Sequence, residues 1–301
     1  MADGGRSIVN IAMNASEFAY TVVLRPKPLK ALANAAIRRC IPPRLHRHGA
    51  EIFLNQRDAV VSGAITFGVY ERPETAFFCA VCQPGMTFLD IGANIGYYTA
   101  LASPRVGETG RIVALEPDPE NFGYLQKNAA AKGARNAICI QKAAGAEPGT
   151  LRLYVNRENR GDNRLYPNDL CDSSYEVEVD TVDAMLRDTG VERVDLIKID
   201  VQGFEGHVLR GMRQTIRRPD PLILLTEFWP FGLRSAGTSP EDLLIELEFA
   251  GLRLYELTEK GRLELLTDKP AFIERHSGRK YANIVAARGP RLPLIFRAAG
   301  A

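Results

Sequence analysis

From Gly85 onward, short apolar runs alternate with helical stretches, and this alternation leaves few folds open to the chain. MTFLDIG reads as a strand and NIGYYTALAS as a helix; RIVALEP is a second strand, and the helix through NFGYLQKNAAAKG is expected to stop at Gly133. AICIQKA, DLIKIDVQG and PLILLTEFWP give three more strands, and LRLYELT and YANIVAAR two further ones after the amphipathic SPEDLLIELEFAG. Strands buried on both faces and separated by helices predict an open, mostly parallel sheet with helices on both sides.

In such sheets a ligand sits at the carboxyl ends of the strands, so the first strand-to-helix turn is where chemistry is sought. It reads Asp90-Ile91-Gly92-Ala93-Asn94-Ile95-Gly96. Glycine there lets the backbone approach a ligand with no Cβ in the way. The next strand closes on Glu116, a carboxylate placed to accept hydrogen bonds from two ribose hydroxyls. A nicotinamide dinucleotide site wants G-x-G-x-x-G, whereas the middle glycine is replaced by Asn94 and an acid, Asp90, precedes the loop. An anion there repels a pyrophosphate and suits an ammonium or a sulfonium. S-adenosylmethionine carries both cations and a ribose, so the charge pattern favours it over NAD.

MTFLDIGANIGYYTALAS, GRIVALEPDPENFGYLQKN, DTVDAML and DLIKIDVQGFEGHVLRGM together resemble the FkbM family of class I methyltransferases, with a weaker likeness in DAVVSGAITFGVYERPE. The resemblance covers roughly residues 55–230. It implies a Rossmann-like class I methyltransferase fold, here an α/β domain with a mostly parallel seven-stranded sheet and an N-terminal extension. It also implies a cofactor site: Asp90, Gly92, Ala93, Asn94, Gly96 and Tyr97 around the methionine half, Glu116 and Pro117 on the ribose with Asp118 or Asn121 nearby, and Lys142 and Ala143 beside the adenine. Tyr70 and Glu71 match a GxYE element that resembles a lid over the cofactor; for Tyr70, plain packing is the alternative. At position 202 the family commonly has Glu, giving DVEG, whereas this chain has Gln202, so an acid needed there must come from elsewhere.

Methyl transfer to a hydroxyl requires alignment of the acceptor and removal of its proton. Strand alternation puts Lys198, Asp200 and Gln202 on one face, with Asp200 at the tip as the first candidate and Lys198 behind it holding it ionised. Glu227 ends the next strand beside Trp229 and could face the acceptor, with an aromatic wall next to it. Histidine as a residue type can act as a base at neutral pH, which makes His207 a candidate, although a lone histidine on a helix is more often structural. Asp200 and Glu227 could also share a divalent cation as an alternative reading; no metal is assigned. Arg160, Asn163 and Arg164 crowd a polar insertion, about 156–180, that would cover the strand ends and touch a polar acceptor; a solvated loop is the alternative.

The remaining features set limits. A formal charge of +2 on 301 residues predicts no polyanion partner, and no nucleic acid is expected. Seven basic residues and no acid lie between Arg25 and His48, giving a basic helical and hairpin extension over 1–57 that could touch a membrane surface, with a solvated face as the alternative. RLHRHGAEIFLN reads as a hairpin turning at Gly49. The catalytic domain is placed at 58–288 and a tail without a derivable role at 289–301. Cys79 and Cys82 form a CxxC with no second pair, so the five cysteines read as reduced thiols of a cytoplasmic protein. No apolar run reaches transmembrane length. The expected activity is O-methylation of a small molecule such as a sugar, a polyketide or another secondary metabolite, with a homodimer as the candidate assembly. N-methylation, a NAD-dependent oxidoreductase and a non-catalytic cofactor-binding module are the competing readings.

Overall fold

The computed structural model describes residues 27–131, 135–167, 171–278 and 280–289. Arg25, the expected helix stop at Gly133 and nearly all of the 289–301 tail lie outside the described residues. The basic stretch folds as a helix, Lys27–Cys40, that stops before Pro42-Pro43, where proline cannot continue it. Strands β1 (Arg44–Arg47) and β2 (Ala50–Phe53) follow as an antiparallel hairpin. Its two turn residues, His48 and Gly49, are both left-handed (φ 49° and 82°), the backbone that a two-residue hairpin turn needs.

The main sheet is built from β3 (Thr87–Ile91), β4 (Arg111–Leu115), β5 (Ala137–Ile140), β9 (Leu196–Ile199), β10 (Leu222–Phe228), β11 (Arg253–Leu257), β12 (Leu263–Leu265) and β13 (Ala282–Arg288). Their order is β12-β11-β13-β10-β9-β3-β4-β5, with β10, β9, β3, β4 and β5 parallel and the β13 side antiparallel. The sheet thus has eight strands where seven were expected. The extra one, β12, is three residues long and mostly exposed, too short to show a period in the sequence.

Two apolar layers sandwich this sheet. One joins Leu224, Ile284 and Ile197 to Val208, Leu244 and Phe272 from the helices Glu205–Gly211, Pro240–Phe249 and Lys269–Arg275. The other joins Phe88, Leu225 and Val285 to Phe78, Tyr98 and Leu101, placing the helices Arg72–Val81 and Tyr97–Val106 on the opposite face. Cross-strand register puts Asp90 opposite Lys198, Lys198 opposite Leu225, and Glu227 opposite Asn283. Alternation along each strand therefore sends Asp90, Lys198 and Glu227 to that second face, beneath the segment that precedes the sheet.

The polar insertion belongs to a separate three-stranded sheet, β6 (Ala143–Ala144), β8 (Ser173–Asp180) and β7 (Gly149–Val155), ordered β6-β8-β7. The loop between β7 and β8 folds back over the carboxyl ends of β3 and β4, where Asn94 and Asn121 both donate to the Arg160 carbonyl at 3.1 and 3.4 Å. Among the described residues no helix is long and apolar enough to cross a membrane.

Candidate active site

The turn after β3 is held by backbone geometry. Gly92 has φ 77°, and a Cβ there would lie 1.9 Å from the Asp200 carbonyl oxygen, so only glycine lets the turn pack on the end of β9. Gly92 and Ala93 donate their N–H groups to the Leu115 carbonyl at 3.0 and 2.9 Å. Asn94 is left-handed (φ 53°) and donates its N–H to Glu116 Oε2 at 2.8 Å. Gly96 serves packing instead: a Cβ there would meet Leu125, so it sets the approach of the helix Tyr97–Val106 to the helix Pro119–Ala129.

A cavity of about 850 Å³, including its mouth, opens above these strand ends. Asp90, Asn94, Glu116, Asn121, Lys142 and Asp200 all line it, with Tyr70, Gly92, Ala93, Tyr97, Pro117, Ala143 and Lys198 among the other expected residues. Asp90 and Glu116, the acid before the turn and the acid closing the next strand, thus share one pocket. Burial pushes Asp90 up to about 6 against the pull of Lys198, while Thr99 Oγ1 donates to it at 2.7 Å. Burial and the neighbouring Asp118 push Glu116 up to about 8.

Asp118 is fully engaged. One oxygen caps the helix Pro119–Ala129 by accepting from the N–H groups of Glu120 and Asn121. The other accepts from Tyr175 Oη at 2.7 Å and from Arg160 and Asn163 at 3.3 Å each. Asn121 Oδ1 differs: it is buried, it belongs to a cavity-lining residue, and it has no partner. An unpaired buried acceptor beside a ribose-facing carboxylate fits an adenosyl group, whose hydroxyls and amine are donors.

The other end of the cavity is a charge cluster around Lys198, whose side chain is 8% exposed. Its ammonium lies 2.9 Å from Asp200, 3.5 Å from Glu71 and 4.6 Å from the centre of the Tyr98 ring. Tyr98 Oη donates to the same Glu71 oxygen at 2.7 Å. Glu71 therefore grips Lys198 from the segment before the sheet and does not line the cavity. Gln202 Nε2 reaches Asp200 Oδ1 at 2.8 Å and Glu227 Oε2 at 3.4 Å. Burial together with Asp200 and Glu205 holds Glu227 well above the usual carboxylate range.

Several expected site residues stand elsewhere. His207 stacks on Phe204 and bonds the Ala236 carbonyl at 2.9 Å, away from the cavity. Arg164 pairs with Asp162 at 2.5 Å and lies 4.7 Å over Trp229, and neither lines the cavity. Arg160 and Asn163 do line it, although the Arg160 guanidinium is paired with Asp118 and Glu120. Among the described residues no three His, Cys, Asp or Glu side chains are grouped to hold a metal ion. The sequence reading missed Tyr98 and Tyr166: the first needed the rotation of its helix against β9, and the second, in an irregular loop, carries no local signal.

A parallel-centred sheet, a glycine turn against an acid, and a buried ribose-type carboxylate in one cavity define a class I, Rossmann-like methyltransferase whose cofactor is S-adenosylmethionine. The model of the methyltransferase FkbM domain matches residues 90–254, more than half of the chain, and the chain belongs to that family. A protein named Methyltransferase 1 from Beauveria bassiana is 30% identical over 143 residues, 41% of this chain and 57% of the relative. The hexuronic acid methyltransferase AglP of Haloferax volcanii is 24% identical over 186 residues, 58% of this chain and 66% of that one. The chain thus spans about two thirds or less of the length of either relative. Among solved structures, an S-adenosylmethionine-dependent methyltransferase from Aquifex aeolicus is 20% identical with a TM-score of 0.38, covering 71% of this chain and 88% of that one.

Proposed function

We propose that the protein methylates a hydroxyl group of a small, uncharged, hydroxyl-rich acceptor, such as a sugar, a polyketide or another secondary metabolite. The observation that carries this reading is the Lys198–Asp200 pair at 2.9 Å, set in the same cavity as Asp90 and Glu116. Bound there, S-adenosylmethionine supplies an activated methyl group on a cationic sulfur that leaves as a neutral thioether. Glu116 and Asn121 would hold its ribose and adenine end, and Asp90 would face its cationic end.

Asp200 is the group placed to orient the acceptor hydroxyl and take its proton as the oxygen–carbon bond forms. The buried ammonium of Lys198 lies 2.9 Å from one oxygen of Asp200 and holds that carboxylate in place. Burial beside Asp200 and Glu205 disfavours the ionised form of Glu227, which makes it the poorer base of the two. Each cation on the cavity wall already has an acid partner: Lys142 with Asp180, Arg160 with Asp118 and Glu120, and Lys198 with Asp200. This favours a neutral acceptor over a carboxylate such as the hexuronic acid that names the Haloferax relative. The odd, scattered set of five cysteines suits a reducing, cytoplasmic location, which we include in the proposal.

Two measurements test the reading. Calorimetry with S-adenosylmethionine and with NAD is expected to show binding of the first alone. A methyl-release assay over neutral glycosides, macrolide-like alcohols, phenols, amines and uronic acids is expected to single out neutral alcohols. Asp200→Ala should then lower turnover about 10²–10⁴-fold with little change in cofactor affinity. Wild-type turnover in that variant, or a preference for amines or uronates, overturns the proposal.

A further inference from the structure

The turn after β9 is unusual in its backbone. Gln202 and Gly203 are both left-handed (φ 53° and 100°), and for glutamine this is an uncommon and strained state. Such a conformation persists only where its surroundings fix it. Here they do so from two sides. Glu205, fully buried, accepts the N–H groups of Val201 and Gly203 at 3.2 Å each. Tyr166, from the polar insertion, donates its hydroxyl to the Gln202 carbonyl at 2.8 Å. A Cβ at Gly203 would collide with the Gly232 backbone at 2.6 Å, so the turn cannot move towards that side.

The strained turn delivers one group to one place. It directs Gln202 Nε2 to Asp200 Oδ1 and towards Glu227 Oε2, so a single amide spans both carboxyl groups. The other Asp200 oxygen is taken by Lys198. With one contact on each oxygen, the Asp200 carboxylate is fixed in plane and in direction, as a base aligned with an acceptor must be.

We propose that Tyr166 and Gln202 form a two-part clamp in which the insertion, through the Gln202 backbone, sets the direction in which Asp200 meets the acceptor. Both are positioning residues: Tyr166 acts through Gln202, and Gln202 acts through Asp200. The insertion then has a role apart from binding the acceptor, because it holds the turn that aims the base. The proposal rests on the reading of Asp200 as the acceptor-facing group.

The test uses the full chain with S-adenosylhomocysteine bound and the glutamine side chains labelled with ¹⁵N. Q202E removes one carboxamide signal and so identifies it. In the wild type that signal is expected to be protected from hydrogen exchange, and Tyr166→Phe should accelerate its exchange about tenfold. This arm needs no acceptor, so it remains readable if the panel of alcohols fails. With the acceptor that the panel identifies, Tyr166→Phe should lower kcat about tenfold while the KM for S-adenosylmethionine stays within about twofold.

The pH response of Q202E separates aiming from folding. The groups facing position 202 are Asp200 and Lys198 from β9, Glu227 from β10, Glu205 from the helix below and Tyr166 from the insertion, with Glu71 and Asp90 on the far side of Lys198. A carboxyl at 202 can donate to Asp200 only when protonated, so the ratio of Q202E to wild-type kcat should rise as pH falls from about 8 to about 6. A ratio that is flat with pH, an unchanged exchange rate in Tyr166→Phe, or faster exchange with unaltered kcat each overturns the clamp.

Discussion

Replacing Lys198 by methionine tests the charge arrangement on which the site rests. Methionine keeps the length and the apolar bulk of the side chain and deletes only the ammonium. That ammonium lies 2.9 Å from Asp200 and 3.5 Å from Glu71, whose side chains are 22% and 24% exposed. At an effective dielectric of about 20, each contact represents about 4–6 kcal/mol of attraction, opposed by the cost of keeping the cation from water. Removing one partner of a buried pair leaves a balance of about 3–5 kcal/mol. In a domain of this size each kcal/mol moves Tm by about 2–4 °C, so the expected loss is about 6–20 °C near neutral pH. The loss should depend on pH. Burial pushes Asp90 up to about 6 and Glu74 to about 7, and Lys198 restrains both shifts. Without the ammonium both rise further. An acid whose folded pKa lies above its unfolded value contributes stability below the unfolded value and loses it as pH climbs through the folded one. The share of the deficit that Asp90 and Glu74 carry should therefore be small at about pH 5 and grow towards about pH 8. Urea unfolding of both proteins at these two pH values, followed by circular dichroism, measures it. Equal deficits at both, or a deficit below about 1 kcal/mol at the higher pH, would mean that the ammonium does not hold this cluster together.

Other perturbations address other parts of the site. Glu116→Gln turns an amide donor against the N–H of Asn94 or Asp118, so cofactor affinity should fall about 10–100-fold by calorimetry; unchanged affinity removes Glu116 from the cofactor pocket. Gly92→Ala places a methyl 1.9 Å from the Asp200 carbonyl at φ 77°, which should cost about 2–4 kcal/mol in thermal unfolding; a wild-type Tm would show that the turn is not packed as described. In the cofactor-free protein, burial raises Asp58 and Asp90 to about 6, Glu74 to about 7 and Glu116 to about 8. Denaturant stability should therefore fall between about pH 5 and about pH 8, and a rise across that window contradicts the burial of these acids.

Much of the architecture was legible because strand and helix periods differ. Seven strands showed themselves as apolar runs, and β12 escaped because three mostly exposed residues carry no period. The cofactor end was legible for a local reason: Asp90, Gly92, Asn94 and Glu116 lie at strand ends, and the fold class fixes what a strand end faces. Substrate-side residues were harder. Arg160, Arg164 and Trp229 were singled out by residue type, but type does not tell whether a guanidinium is free. Asp118, Glu120 and Asp162 engage both arginines, and Arg164 lies over Trp229.

The parallel-centred sheet, the acid-flanked turn and the order of charged strand ends could be read from the residues in a line, because they follow from periodicity and from contacts between near neighbours. That Glu71 meets Lys198, that Tyr166 holds Gln202, and that Gln202 joins Asp200 to Glu227 emerged from the folded chain alone. Those contacts join side chains from the leading segment, the insertion and two adjacent strands, and long-range packing sets such distances. No pattern within one segment records them.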